Sequence, residues 1–143
     1  MTVAHLLHGK PARLVTMPTH ETLAKAAEIL ARERIGAIVV TAPGGDLAGI
    51  VSERDLVRAI AKHGAAALTG KVSETMTADV ICCSPGDTLD QVMSWMTEKR
   101  FRHLPVKDAG RLVGMISIGD VVKAKVEDAE RESADLRAYI AGT

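Results

Sequence analysis

Apolar positions recur along this chain in two blocks built to one plan. In "ETLAKAAEILARERIGAIVVTAPGGDLAGIVSERDLVRAI", from Glu21, residues Leu23, Ala27 and Leu30 fall at helical spacing. In "DTLDQVMSWMTEKRFRHLPVKDAGRLVGMISIGDVVKAKV", from Asp87, Leu89, Val92, Met93 and Met96 do the same. A short apolar run follows each, "AIVV" or "HLPV", then a turn, "APGGD" or "KDAGR", then a second run, "LAGIVS" or "RLVGMIS". Two such runs joined by a short loop predict a hairpin, and the Ser that ends the second run opens a helix. Another apolar piece precedes each block, "RLVT" at Arg13–Thr16 and "DVICC" at Asp79–Cys83, and both read as strands. Before these lie short helical segments, "VAHLLHG" and "VSETMT".

The predicted order is therefore β-α-β-β-α, twice, an α+β fold. In register, Thr22 meets Thr88, Leu23 meets Leu89, Leu30 meets Met96, Arg34 meets Arg100 and Val40 meets Val106. After a one-residue deletion in the second turn, Leu47 meets Leu112, Gly49 meets Gly114, Ser52 meets Ser117 and Asp55 meets Asp120. One unit alone is too small to bury its own sheet. Two units packed sheet against sheet would share a core and leave clefts about a pseudo-twofold axis. The expected division is a first repeat with its lead-in helix over residues 1–64, a second over 65–127 and a helical extension over 128–143. Ala61–Lys71 is the expected connector. The last helix should run without Pro or Gly from Gly119 to about Ile140. Its Val122, Val126, Ala129, Ser133, Leu136 and Ile140 alternate spacings of four and three, a heptad-like stripe that packs either on its own domain or on a partner helix in a homodimer, the second being favoured because so long a helix would overhang so small a domain.

Composition narrows the function. Of 143 residues 47% are apolar, yet Trp95, Tyr139 and Phe101 are the only aromatics, so the core is aliphatic. Eighteen basic residues balance eighteen acidic ones, which argues against nucleic acid or an anionic membrane as partner. No apolar run approaches a membrane span, and "MTVAHLLHGK" lacks a signal-peptide core, so a soluble cytoplasmic protein is expected. Cys82 and Cys83 are adjacent, a geometry that strains a mutual disulfide, and they read as small hydrophobes in a reducing compartment. His5, His8, His20, His63 and His103 are scattered, with no nucleophile or third metal ligand beside any of them.

The repeated Ser-x-x-Asp has two readings. It is a variant of the capping box, in which Ser and an acidic residue three positions on satisfy the first amides of a helix. "SPGD", Ser84–Asp87, has the same spacing with Pro at the first helical position, and there plain capping is expected. At Ser52/Asp55 and Ser117/Asp120 the motif follows a strand carrying Gly three residues before the Ser, where another group can approach the backbone. A strand-to-helix junction offers free amides and the positive end of a dipole to an anion. Its first-turn carboxylate could instead accept the vicinal hydroxyls of a ribose. Geometry leaves the cap and the ligand site open.

Over roughly Val3 to Lys125 the chain resembles a tandem pair of CBS domains. "GIVSERD" and "GMISIGD" match that family's Gly-hydrophobic-x-Ser/Thr-x-x-Asp signature, "RHLPVKD" its middle strand, and "VSETMT" its lead-in. The last helix resembles an extension of small stand-alone members. The resemblance implies an intertwined pair whose clefts hold an adenosine-containing ligand: AMP first, with ADP, ATP, NAD or S-adenosylmethionine as alternatives. It implies that the signature Asp takes the ribose hydroxyls. Carried over by position, one cleft would use Thr16, Arg102, His103, Leu104, Pro105, Ser117 and Asp120. The other would use Cys82 with Ile81 beside it, Ile35, Gly36, Ala37, Ser52 and Asp55, with Arg54 in the helix's first turn. On that assignment the guanidinium of Arg102 belongs to the Asp120 cleft, which should then bind phosphate more tightly.

Three functions remain to be separated. The first is a non-catalytic regulatory module that senses an adenine nucleotide and passes the signal to a separate, unknown protein. The second is a ligand-free assembly module whose Ser-x-x-Asp pairs only cap helices. The third is an enzyme acting on a nucleotide or through Cys82 and Cys83.

Overall fold

The structure, a computed structural model, describes residues 1–8 and 14–142. Helix α1 (Val3–His8) leads into strand β1 (Thr16–Pro18), helix α2 (Leu23–Glu33), strands β2 (Ala37–Thr41) and β3 (Leu47–Ser52) and helix α3 (Glu53–His63). Two 3₁₀ turns, Gly64–Thr69 and Val72–Glu74, carry the chain to α4 (Leu89–Lys99), β4 (His103–Asp108), β5 (Arg111–Ser117) and α5 (Ile118–Ala141). The fold is α+β, as the patterning implies. Arg13, the first residue of the expected leading strand, lies outside the described residues.

β2 pairs parallel with β1 and antiparallel with β3, and β4 pairs antiparallel with β5. The hairpins thus form as read. The strand expected at Asp79–Cys83 does not. Only Cys83 bridges β4: its N–H donates to the Pro105 carbonyl (3.0 Å), and its carbonyl accepts from Lys107 (2.9 Å). Pro85, two residues on, has no N–H to extend a ladder. "SPGD" is likewise a turn rather than a helix start. Asp87 accepts from the Ser84 amide (2.7 Å), and α4 begins after Thr88, whose hydroxyl accepts from the Gln91 amide. Thr22 caps α2 the same way, so the threonines matched in the repeat are the true caps.

The core is not one shared layer. Met17, Leu23, Ala26, Leu30, Ile38, Val40 and Val51 form one buried cluster, and Leu89, Val92, Met96, Leu104, Val106 and Ile116 form another. Each cluster is closed by the lead-in of the other unit. Val3 of α1 is wholly buried in the second cluster, while Val72 and Met76, which precede the second unit, pack into the first. Helices cover one face of each small sheet, and the exchanged lead-ins supply apolar area that one unit lacks.

The motif glycines make the exchange possible. A Cβ on Gly49 would lie 2.6 Å from the Thr77 carbonyl oxygen and 2.8 Å from the Met76 sulfur. Thr77 and Ile50 exchange two backbone hydrogen bonds at that crossing, of 2.8 and 2.9 Å. A Cβ on Gly114 would lie 2.9 Å from a methyl of Leu7. The group that approaches the backbone here is the chain's own lead-in.

Candidate functional site

Both Ser-x-x-Asp motifs form full capping boxes. The Ser52 amide donates to Asp55 Oδ2 (2.9 Å) and the Asp55 amide to Ser52 Oγ (3.3 Å). The Ser117 amide donates to Asp120 Oδ2 (2.8 Å) and the Asp120 amide to Ser117 Oγ (3.1 Å). Ser52 Oγ also donates to Asp55 Oδ2 (3.0 Å), so the hydrogen bonds on Asp55 all fall on one oxygen. Capping does not bury the acids. Both are half-buried, and each stands at the wall of its own cavity.

The first cavity, about 490 Å³, is lined by Ser52, Glu53, Arg54, Asp55 and Arg58 of one unit and by Ile81 and Lys99–His103 of the other. The second, about 350 Å³, sets Ser117 and Asp120 against Leu14, Val15, Arg34, Ile35, Gly36 and Ala37. Each is large enough for a nucleoside-sized ligand. Gly36 and His103 border both. A Cβ on Gly36 would lie 3.2 Å from the His103 ring, so the two cavities share a thin wall at the seam.

A CBS domain model matches residues 11–62 and again 72–127. The chain belongs to the CBS domain family. It is 48% identical to a CBS-domain containing protein of Agrobacterium tumefaciens, whose crystal structure superposes with a TM-score of 0.84 over 87% of this chain and 92% of that one. A CBS domain protein of Pyrobaculum aerophilum, complexed with AMP, is 30% identical, with a TM-score of 0.76 over 84% and 89% of the two chains. A mitochondrial CBS domain-containing protein of Arabidopsis thaliana is 40% identical over 87% of this chain, which spans 62% of that relative's length.

Within this CBS pair the cleft assignment drawn from sequence needs correction. Arg102 lines the Asp55 cavity, while Ile35 and Ala37 line the Asp120 cavity. The cause is local. The Arg102 carbonyl accepts from Ile118, and the Gly36 carbonyl from Glu53, so each backbone is pinned to the helix start of its own unit. The segment running into each middle strand then serves the facing cleft, and neighbours in a strand fall on opposite sides. Ser52, Asp55, Arg54, Gly36 and Ile81 are brought together, as are Ser117, Asp120 and His103. Thr16, Cys82, Leu104 and Pro105 line neither cavity. Thr16 is exposed on β1 while Leu14 and Val15 reach the wall, and Leu104 and Pro105 are buried within the β4–β5 hairpin.

The repeat itself held an unused signal. Arg34 and Arg100, matched in register, both take left-handed conformations at helix C-termini (φ 55° and 58°). Each turns the chain toward its strand and lines the other unit's cleft. Lys99, Phe101 and Arg58 carry no motif and were not anticipated.

The cysteines are poor nucleophiles here. Burial, helped by Asp87, pushes the Cys83 thiol up to about 12, and its Sγ lies 3.7 Å from the Pro105 carbonyl oxygen. Burial also raises Cys82, partly offset by Lys107. Both remain thiols at neutral pH, whereas reactive cysteines are thiolates. Among the described residues no group of three His, Cys, Asp or Glu could hold a metal ion.

Proposed function

We propose that this CBS pair is a non-catalytic regulatory module binding adenosine compounds in its two clefts, with Asp55 and Asp120 accepting ribose hydroxyls. The carrying observation is that each motif carboxylate, although it caps a helix, stands at a cavity wall facing the other repeat. At Asp55, one oxygen serves the cap and the other is left for a ligand hydroxyl. The AMP complex of the Pyrobaculum relative supports an adenosine ligand. AMP, ADP, ATP, NAD and S-adenosylmethionine all share the group that these carboxylates would grip. Because both cavities are walled by two repeats, occupancy favours one relative packing of the units, which is how a ligand biases a two-state module. Two thiols that burial keeps protonated support sensing over catalysis, and unpaired cysteines suit a reducing compartment such as the cytoplasm.

Thermal unfolding against a panel of adenosine compounds tests the reading. Ligand at a hundred times its dissociation constant adds about 2.7 kcal/mol, on the order of 5–10 °C here. No shift with any of them would leave the assembly reading, in which the capping boxes are the whole role of Ser52/Asp55 and Ser117/Asp120.

We also propose that two copies pair along α5. Val121 and Ala124 bury one face of this 24-residue helix in its own unit, where Lys125 is tied to Asp90 at the start of α4. Val122, Val126, Ala129, Ser133, Leu136 and Ile140 lie on a different face and are exposed. Their flanks select a direction. Parallel helices set Glu132 near Arg137 of the second copy. Antiparallel helices set Glu132 against Glu132 and Glu130 against Glu130.

A further inference from the structure

The two clefts differ in charge more than in shape. Arg54, Arg58, Lys99, Arg100 and Arg102 line the Asp55 cavity, with Glu53 and Asp55 as the carboxylates among its described lining. Among the described residues the Asp120 cavity is lined by one guanidinium, Arg34, and one carboxylate. All five cations of the first cavity are exposed, and none is ion-paired among the described residues. Unpaired like charges around one cavity repel each other and hold their donors for an anion. A single phosphate would leave most of them unsatisfied.

We infer that the Asp55 cleft is a polyphosphate site, selecting nucleoside di- and triphosphates, whereas the Asp120 cleft takes adenosine compounds with one negative charge or none. This rests on the adenosine reading above and assigns a ligand class to each cleft. The cations come from two directions. Arg54 and Arg58 lie one helical turn apart on α3, and in the other repeat Lys99 ends α4 while Arg100 and Arg102 follow it. A phosphate chain leaving a ribose held at Asp55 would lie between them and cross-link the repeats through charge-assisted hydrogen bonds. Across the shared wall, the described lining of the smaller cavity offers extra phosphates one guanidinium, Arg34, against the five cations around Asp55.

The test is calorimetric titration of the full chain with adenosine, AMP, ADP, ATP and inorganic tripolyphosphate, at low and high salt, on wild type and on Arg58→Ala/Arg102→Ala. Both arginines are exposed and make no side-chain bond among the described residues, and Arg102→Glu alone gives an independent variant. At one site, affinity should rise in the order adenosine, AMP, ADP, ATP and weaken steeply with salt. The double variant should lose about a hundredfold for ATP, roughly tenfold per guanidinium, with adenosine affinity unchanged. AMP binding as tightly as ATP, or ATP affinity untouched by the double variant, overturns the inference while leaving an adenosine site standing. Tripolyphosphate binding as tightly as ATP, with no adenosine binding anywhere, supports the basic cleft and overturns the adenosine reading instead.

Discussion

Gly49→Ala tests the crossing of the exchanged lead-in over β3. The added methyl would stand 2.6 Å from the Thr77 carbonyl oxygen, a backbone atom that itself accepts from Ile50, so the lead-in must move. Overpacking costs about 1–3 kcal/mol, and each of the two Thr77–Ile50 hydrogen bonds that weaken costs about 1 kcal/mol. The stiffer unfolded chain returns about 0.4–1 kcal/mol. The net loss is about 2–4 kcal/mol, or on the order of 10 °C in Tm for a chain of this size. Gly114→Ala is the internal control. Its methyl meets the tip of Leu7, which can rotate away, so the cost should stay below about 1 kcal/mol. Urea and thermal unfolding without ligand measure both. Equal losses in the two variants refute the reasoning. So would a Gly49→Ala protein with wild-type apo stability and impaired nucleotide binding, because the glycine would then serve the ligand and not the crossing.

Three further outcomes follow from the same geometry. Asp55→Ala and Asp120→Ala each remove the acidic half of a capping box and should lower apo stability by about 1 kcal/mol, read by thermal unfolding without nucleotide. Ser133→Cys should form an intermolecular disulfide readily under mild oxidation if the α5 helices pair parallel and in register; efficient cross-linking of an Ala129→Cys/Ser133→Cys pair with neither single variant reacting would indicate the antiparallel arrangement. Because Cys83 titrates higher folded than unfolded, its contribution to stability is complete below about pH 9 and is lost as pH rises toward about 12; Cys83→Ala should flatten that part of the unfolding-versus-pH curve.

The local architecture was legible because each device has a short-range signature. Helix spacing, the hairpin turns and both capping boxes could be read from neighbouring residues. What the sequence hid is pairing at long range. Nothing near Gly49 says that Thr77 crosses it, and nothing near Val3 says that it closes the second core. The strand expected at Asp79–Cys83 looked as apolar as its counterpart, but Pro85 limits it to one bridge. The clefts failed in an instructive way. Most of the expected residues do line a cavity, but Arg102 and the Ile35–Ala37 segment exchanged places, because a backbone hydrogen bond to one unit's helix leaves the adjoining side chains to the other. That exchange reverses the expected charge order and makes the Asp55 cleft the basic one. The matched pair Arg34 and Arg100 was visible in the repeat, yet its left-handed turn toward the facing cleft was not.

The most direct measurement is calorimetric titration of AMP and 2′-deoxy-AMP into wild type, Asp55→Asn, Asp120→Asn and the double variant. Two sites in wild type, one in each single variant, none in the double variant and at least about a tenfold loss for the deoxy compound are the predicted results. A double variant that binds AMP like wild type, or a wild type indifferent to the missing hydroxyl, would contradict the claim that these carboxylates hold the ribose.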